Sequence, residues 1–116
     1  DIVPHRQLQR EFATAATGHV AMFSAPQLAN VLNSFARLQM DAAFVGDAPI
    51  WHEEVRKKMS EFNVQGAANV LNAYARLQAF DAGVLEFASR RLLEFQRRDF
   101  GEQNVANIFN ACARLR

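Results

Sequence analysis

The sequence predicts an all-α protein, an α-solenoid of helix-turn-helix repeats with a period of about 38 residues and six helices. Three observations lead there. A ten-residue phrase is written three times, as "ANVLNSFARL" at 29–38, "ANVLNAYARL" at 68–77 and "ANIFNACARL" at 106–115. The composition is helical: three Pro, five Gly and one Tyr stand against abundant Ala, Leu, Gln, Arg and Glu. Apolar residues recur at the three- and four-residue spacing of one buried helical face.

Each element follows from its own residues. The segment "PHRQLQREFATAA" near the start reads as the second helix of a preceding unit, with Leu8, Phe12 and Ala15 or Ala16 facing inward. The repeats proper begin at Phe23, Phe62 and Phe100, intervals of 39 and then 38 residues. Ser24, Asn63 and Gly101 follow as N-cap types, and Gln27 stands three after Ser24 where a capping box places it. Each Phe is positioned to staple onto Leu28, Ala67 or Val105 at the fourth helical position.

Along the first helices, Leu28, Val31, Leu32, Phe35 and Leu38 form one inward face. Ala67, Val70, Leu71, Tyr74 and Leu77 repeat it, and Val105, Ile108, Phe109, Cys112 and Leu115 do so again. Cys112 stands where the other copies have Phe35 and Tyr74, so a buried structural thiol is expected. The intervening second helices place Trp51, Val55, Met59 and Phe62, then Leu85, Ala88, Leu92 and Phe95, on their inner sides. Asp47 is the expected cap of the first of them, with Pro49 in its opening turn.

The expected division is therefore 1–22 as a second helix, 23–61 and 62–99 as full repeats, and 100–116 as a further first helix. The chain is expected to be a segment of a longer stack or one seated against partners, because neither end carries a capping pattern.

The 116 residues suffice for one domain, half of them hydrophobic. A formal net charge of +1 supplies no overall basic field, so any nucleic-acid binding must come from local patterning. Cys112 alone excludes an internal disulfide framework. No apolar run approaches the roughly 20 residues of a membrane span, and no membrane partner is expected.

The repeated phrase also has an outward half that folding does not explain. At about 100° per residue, Asn30, Asn33 and Arg37 lie within about 60° of one another, opposite the apolar face. Asn69, Asn72 and Arg76 repeat this, as do Asn107, Asn110 and Arg114, with Gln65 and Gln103 one turn earlier. Asn is a mediocre helix former, so its recurrence at solvent-facing positions asks for an offsetting gain. Stacked first helices would align these side chains as a ladder. Carboxamides can pair with base edges and Arg can take a phosphate or stack on a base, which suits a single strand of RNA. Alternatively, neighbouring Asn side chains bond to each other and each Arg favours its helix C-terminus, or the ladder meets a protein.

Two basic clusters, Arg56, Lys57 and Lys58 and then Arg90, Arg91, Arg97 and Arg98, are candidate phosphate contacts or a solubilising outer surface. Glu53, Glu54 and Glu61 beside the first cluster suggest a solvated, ion-paired face. His5, His19 and His52 share neither a helix face nor a neighbouring Cys pair, no Gly-rich phosphate loop is present, and neither metal, cofactor nor enzymatic activity is expected.

The phrases "LANVLNSFARL" and "VANIFNACARL" resemble the octotricopeptide repeat of organellar RNA-binding proteins and the related heptatricopeptide repeat of apicomplexan relatives. Those families carry helix pairs of similar period whose first helix reads approximately Leu-Ala-Asn-x-Leu-x-Ala-x-Ala-x-Leu; FAST-kinase-like mitochondrial proteins share similar repeats. The Trp common in algal copies is replaced by Asn33, Asn72 and Asn110, which favours the apicomplexan or another protist branch. The resemblance implies RNA processing, stabilisation or translation in mitochondria or plastids, including a place in a mitochondrial ribosome among other protein subunits. The nuclease-like RAP domain that family members often carry has no counterpart in these residues.

Overall fold

The computed structural model describes residues 2–40, 45 and 48–115. Among them are six α-helices, α1 Ile2–His19, α2 Ala25–Arg37, α3 Pro49–Lys57, α4 Val64–Leu77, α5 Ala82–Leu93 and α6 Glu102–Leu115. Short 3-10 turns at Val20–Met22, Met59–Glu61 and Arg97–Asp99 precede α2, α4 and α6. The all-α class is as the composition requires. The predicted cap Asp47 lies outside the described residues, and α3 begins on Pro49 after Ala48 with no side-chain cap.

The starts of α2 and α4 follow their caps. Ser24 Oγ accepts from the Gln27 N–H at 3.3 Å while Gln27 Oε1 accepts from the Ser24 N–H at 2.9 Å, closing the capping box. Asn63 Oδ1 accepts from Gly66 N–H at 2.7 Å. Phe62, just before that cap, is buried, and a Cβ on Gly66 would stand 2.9 Å from its ring, so the glycine gives the staple its room.

Helix α4 runs between α2 and α6 and packs on α5, while α3 packs on α5. The extents are 44 × 27 × 22 Å, so the molecule is elongated rather than spherical. The core centres on α4: Ala67, Val70, Leu71, Tyr74 and Leu77 are all buried, as predicted. On the second helices Trp51, Val55, Met59 and Phe62 are buried as predicted, Ala88 and Leu92 likewise, and Leu85 and Phe95 are half-buried. Trp51 meets Phe35 edge-on at 5.6 Å and donates from Nε1 to Thr17 Oγ1 at 3.0 Å, joining α1, α2 and α3.

The inward assignments fail on α1, at the end of α2 and on α6. Leu8 and Phe12 of α1 are exposed, while Ala13 of α1 and Val20 of the turn that follows it are buried. Leu38 is exposed at the end of α2, and on α6 Val105, Phe109 and Cys112 are exposed while Ala111 is buried. Helical spacing marks an apolar face but not whether another element packs on it, and these residues lie on surfaces left open among the described residues.

Candidate functional site

The ladder residues come together along α2, α4 and α6, but not with the uniform exposure that their spacing suggested. Asn30 and Arg37 are exposed and Asn33 half-buried; Asn69 and Arg76 are half-buried; Asn107 is half-buried while Asn110 and Arg114 are exposed. Asn72 departs most. It is only 6% exposed, and its Oδ1 has no hydrogen-bond partner among the described residues. The cause is position: α4 is flanked on both sides, so the residue equivalent to Asn33 and Asn110 is covered by its neighbours.

The upper row forms a direct contact. Asn107 Nδ2 donates to Asn69 Oδ1 at 3.2 Å across α6 and α4, and Gln103 Nε2 donates to Asn107 Oδ1 at 3.3 Å. Asn30 joins Asn69 and Gln65 in a cleft of about 190 Å³ between the starts of α2 and α4. Glu61 lines the same cleft, so the face carries a carboxylate at its N-terminal end.

The lower end is different. Arg76 and Arg114 line one cleft of about 330 Å³ with Gln39 and Gln78, and neither arginine enters an ion pair among the described residues. Gln39 and Gln78 occupy equivalent places and both have left-handed backbone, with φ of 55° and 56°. Each closes a Schellman turn: Met40 N–H donates to Phe35 O and Gln39 N–H to Ala36 O, and Ala79 N–H donates to Tyr74 O and Gln78 N–H to Ala75 O. These two glutamines escaped the sequence reading, although their 39-residue interval was a readable signal.

The basic clusters divide into engaged and free members. Lys58 Nζ donates to Ala21 O at 3.1 Å and to Phe23 O and pairs with Glu54 Oε2 at 3.2 Å, so its donors are met within the chain. Arg56 pairs with Asp81 Oδ2 at 2.7 Å, the same oxygen that caps α5 through Val84 N–H at 2.9 Å. Arg91 donates to Phe62 O at 3.0 Å and lies over the Phe95 ring at 4.6 Å. Lys57 is exposed and bonded to Glu54, Arg90 is exposed and paired with Glu86, and Arg97 and Arg98 are exposed.

Glu54 is not on a solvated face as its charge pattern suggested. It is buried, with its oxygens turned to Lys57 and Lys58, and the Lys57 hydrogen bond leads in holding its carboxyl below the usual carboxylate range against the opposing effect of burial. His52 is likewise buried and shares a 2.9 Å hydrogen bond with Tyr74 Oη. Burial, with the Asp81 carboxylate adding to it, pushes the Tyr74 phenol far above its ordinary value, so His52 faces a neutral hydroxyl.

No protein-family model, curated protein or solved structure matches this chain. Among the described residues no group of three His, Cys, Asp or Glu could hold a metal ion, and no helix is long and apolar enough to cross a membrane.

Proposed function

We propose that the chain is an RNA-binding α-solenoid segment whose first helices carry a single strand along the Asn and Arg face. It acts in organellar RNA metabolism or translation, in the setting of a mitochondrial ribosome. The observation that carries this reading is the cleft shared by Arg76 and Arg114, two cations from successive copies with no ion pair among the described residues, at the foot of a row in which Asn30, Asn69 and Asn107 adjoin. The repeat resemblance adds the organellar setting, and no catalytic step is assigned to any residue.

The strand would be held by phosphate contacts from Arg37, Arg76 and Arg114, while Asn30, Asn69, Asn107 and Asn110 offer amides to base edges. Asn72 is too deeply placed to take part directly. Of the outer clusters, Arg97 and Arg98 are exposed with no paired carboxylate among the described residues and are the members suited to phosphate.

The test is a titration with single-stranded RNA at several salt concentrations. Three arginines neutralising about three phosphates predict a fall of log affinity against log salt with a slope near −2. Asn69→Ala, Arg76→Ala and Arg114→Ala together should weaken binding at least tenfold with helicity retained; unchanged affinity would refute the reading. A protein-docking scaffold is the second reading, favoured by the exposed apolar residues Phe12 and Phe109. Salt-resistant capture of protein partners with no RNA bound at low salt would select it.

A further inference from the structure

We infer that the cleft at the lower ends of α2, α4 and α6 is a site for a phosphomonoester dianion, which on an RNA strand is the phosphate at one of its ends. In naming the strand end, the inference rests on the proposed function; the anion site itself rests on its own residues. The cleft has a volume of about 330 Å³, is lined by Gln39, Arg76, Gln78 and Arg114 among others, and holds no carboxylate among the described residues. Glu61, by contrast, stands in the upper cleft beside Asn30 and Asn69, so an anion is repelled there and admitted here.

Charge selects the ligand. Arg76 and Arg114 come from successive copies of the repeated phrase, line the same cleft and enter no ion pair among the described residues. A phosphodiester in the body of a strand carries one negative charge, whereas a phosphomonoester carries about −1.5 to −2 near pH 7. Two guanidiniums facing one cleft match the monoester, and each can offer two parallel N–H donors to its oxygens. Arg37 does not line this cleft, so it remains for a phosphate within the strand.

The backbone supplies an independent observation. Gln39 and Gln78 both hold left-handed backbone, with φ of 55° and 56°, where a residue with a Cβ is strained and glycine is the usual choice. Strain of this kind is kept where a side chain is used, and both glutamine side chains belong to the cleft that holds the two arginines. An amide adds an N–H donor for a phosphate oxygen without adding charge. The Schellman turns contribute as well: Phe35 O, Ala36 O, Tyr74 O and Ala75 O each accept a backbone N–H. Carbonyls at the negative ends of α2 and α4 are thus taken up within the chain and oppose an anion less.

The test titrates the chain with short oligouridylates that carry a phosphate at the 5′ end, at the 3′ end or at neither. One phosphorylated strand should bind about tenfold more tightly than the unphosphorylated one, the worth of a charge-assisted hydrogen bond. Converting that phosphate to its methyl ester removes one charge and should remove most of the gain. Arg114→Ala, a change at an exposed position, should abolish the preference with helicity unchanged by circular dichroism, and Arg76→Ala should abolish it too. Equal affinity for all three strands, or a methyl ester that binds as tightly as the monoester, would overturn the inference and leave the RNA reading standing. If no strand binds while inorganic phosphate shifts the side-chain NMR signals of Arg76 and Arg114, the RNA reading falls and the anion site is upheld. Silence toward the strands and inorganic phosphate alike would sink both.

Discussion

The two asparagines of each copy look alike in sequence and are not alike in the molecule. Asn69 is half-buried and accepts from Asn107, while Asn72 is buried with an oxygen that has no partner among the described residues. A buried acceptor without a partner carries a desolvation cost of about 1–3 kcal/mol, and Ala is a better helix former. Asn72→Ala should therefore leave the unfolding free energy unchanged or raise it by up to about 1 kcal/mol. Asn69→Ala should lower it by about 0.5–1 kcal/mol, the net worth of one hydrogen bond. Urea denaturation distinguishes them, and a loss above about 1 kcal/mol at Asn72 would mean that its oxygen has a partner in solution. Helical spacing could place Asn72 on the ladder but could not say that α4 has a neighbour on each flank. The same gap explains Glu54 and His52, polar letters on a charged helix that packing takes inside.

At the level of single helices, the beginnings were more legible than the ends. Ser24 with Gln27, and Asn63 with Gly66, cap their helices through side chains that the sequence names outright. The ends of α2 and α4 turn on Gln39 and Gln78, residue types that do not advertise a left-handed cap, so only the repeat interval could have revealed them. Left-handed backbone costs a residue with a Cβ about 1–2 kcal/mol, and glycine largely avoids this. Gln39→Gly and Gln78→Gly should each stabilise the chain by about 1 kcal/mol, read as a higher urea midpoint with an unchanged slope. No gain at either position would show that the glutamine side chain offsets the strain through contacts of its own. If the lower cleft is used by RNA, the glycine variants should be more stable and bind more weakly, because each removes an amide beside Arg76 and Arg114.

Across the whole molecule, burial falls away from the middle. Eleven of the fourteen residues of α4 are buried, against Ala111 alone in α6, and α1 exposes Leu8 and Phe12. A helix with one covered flank buries fewer apolar contacts than one with two, so it opens at lower free energy than α4. Amide hydrogen exchange in dilute solution should therefore show the slowest exchange in α4, intermediate rates in α2, α3 and α5, and the fastest in α6 and the first half of α1. Uniform protection from α1 to α6 would mean one all-or-none unit and would contradict this gradient.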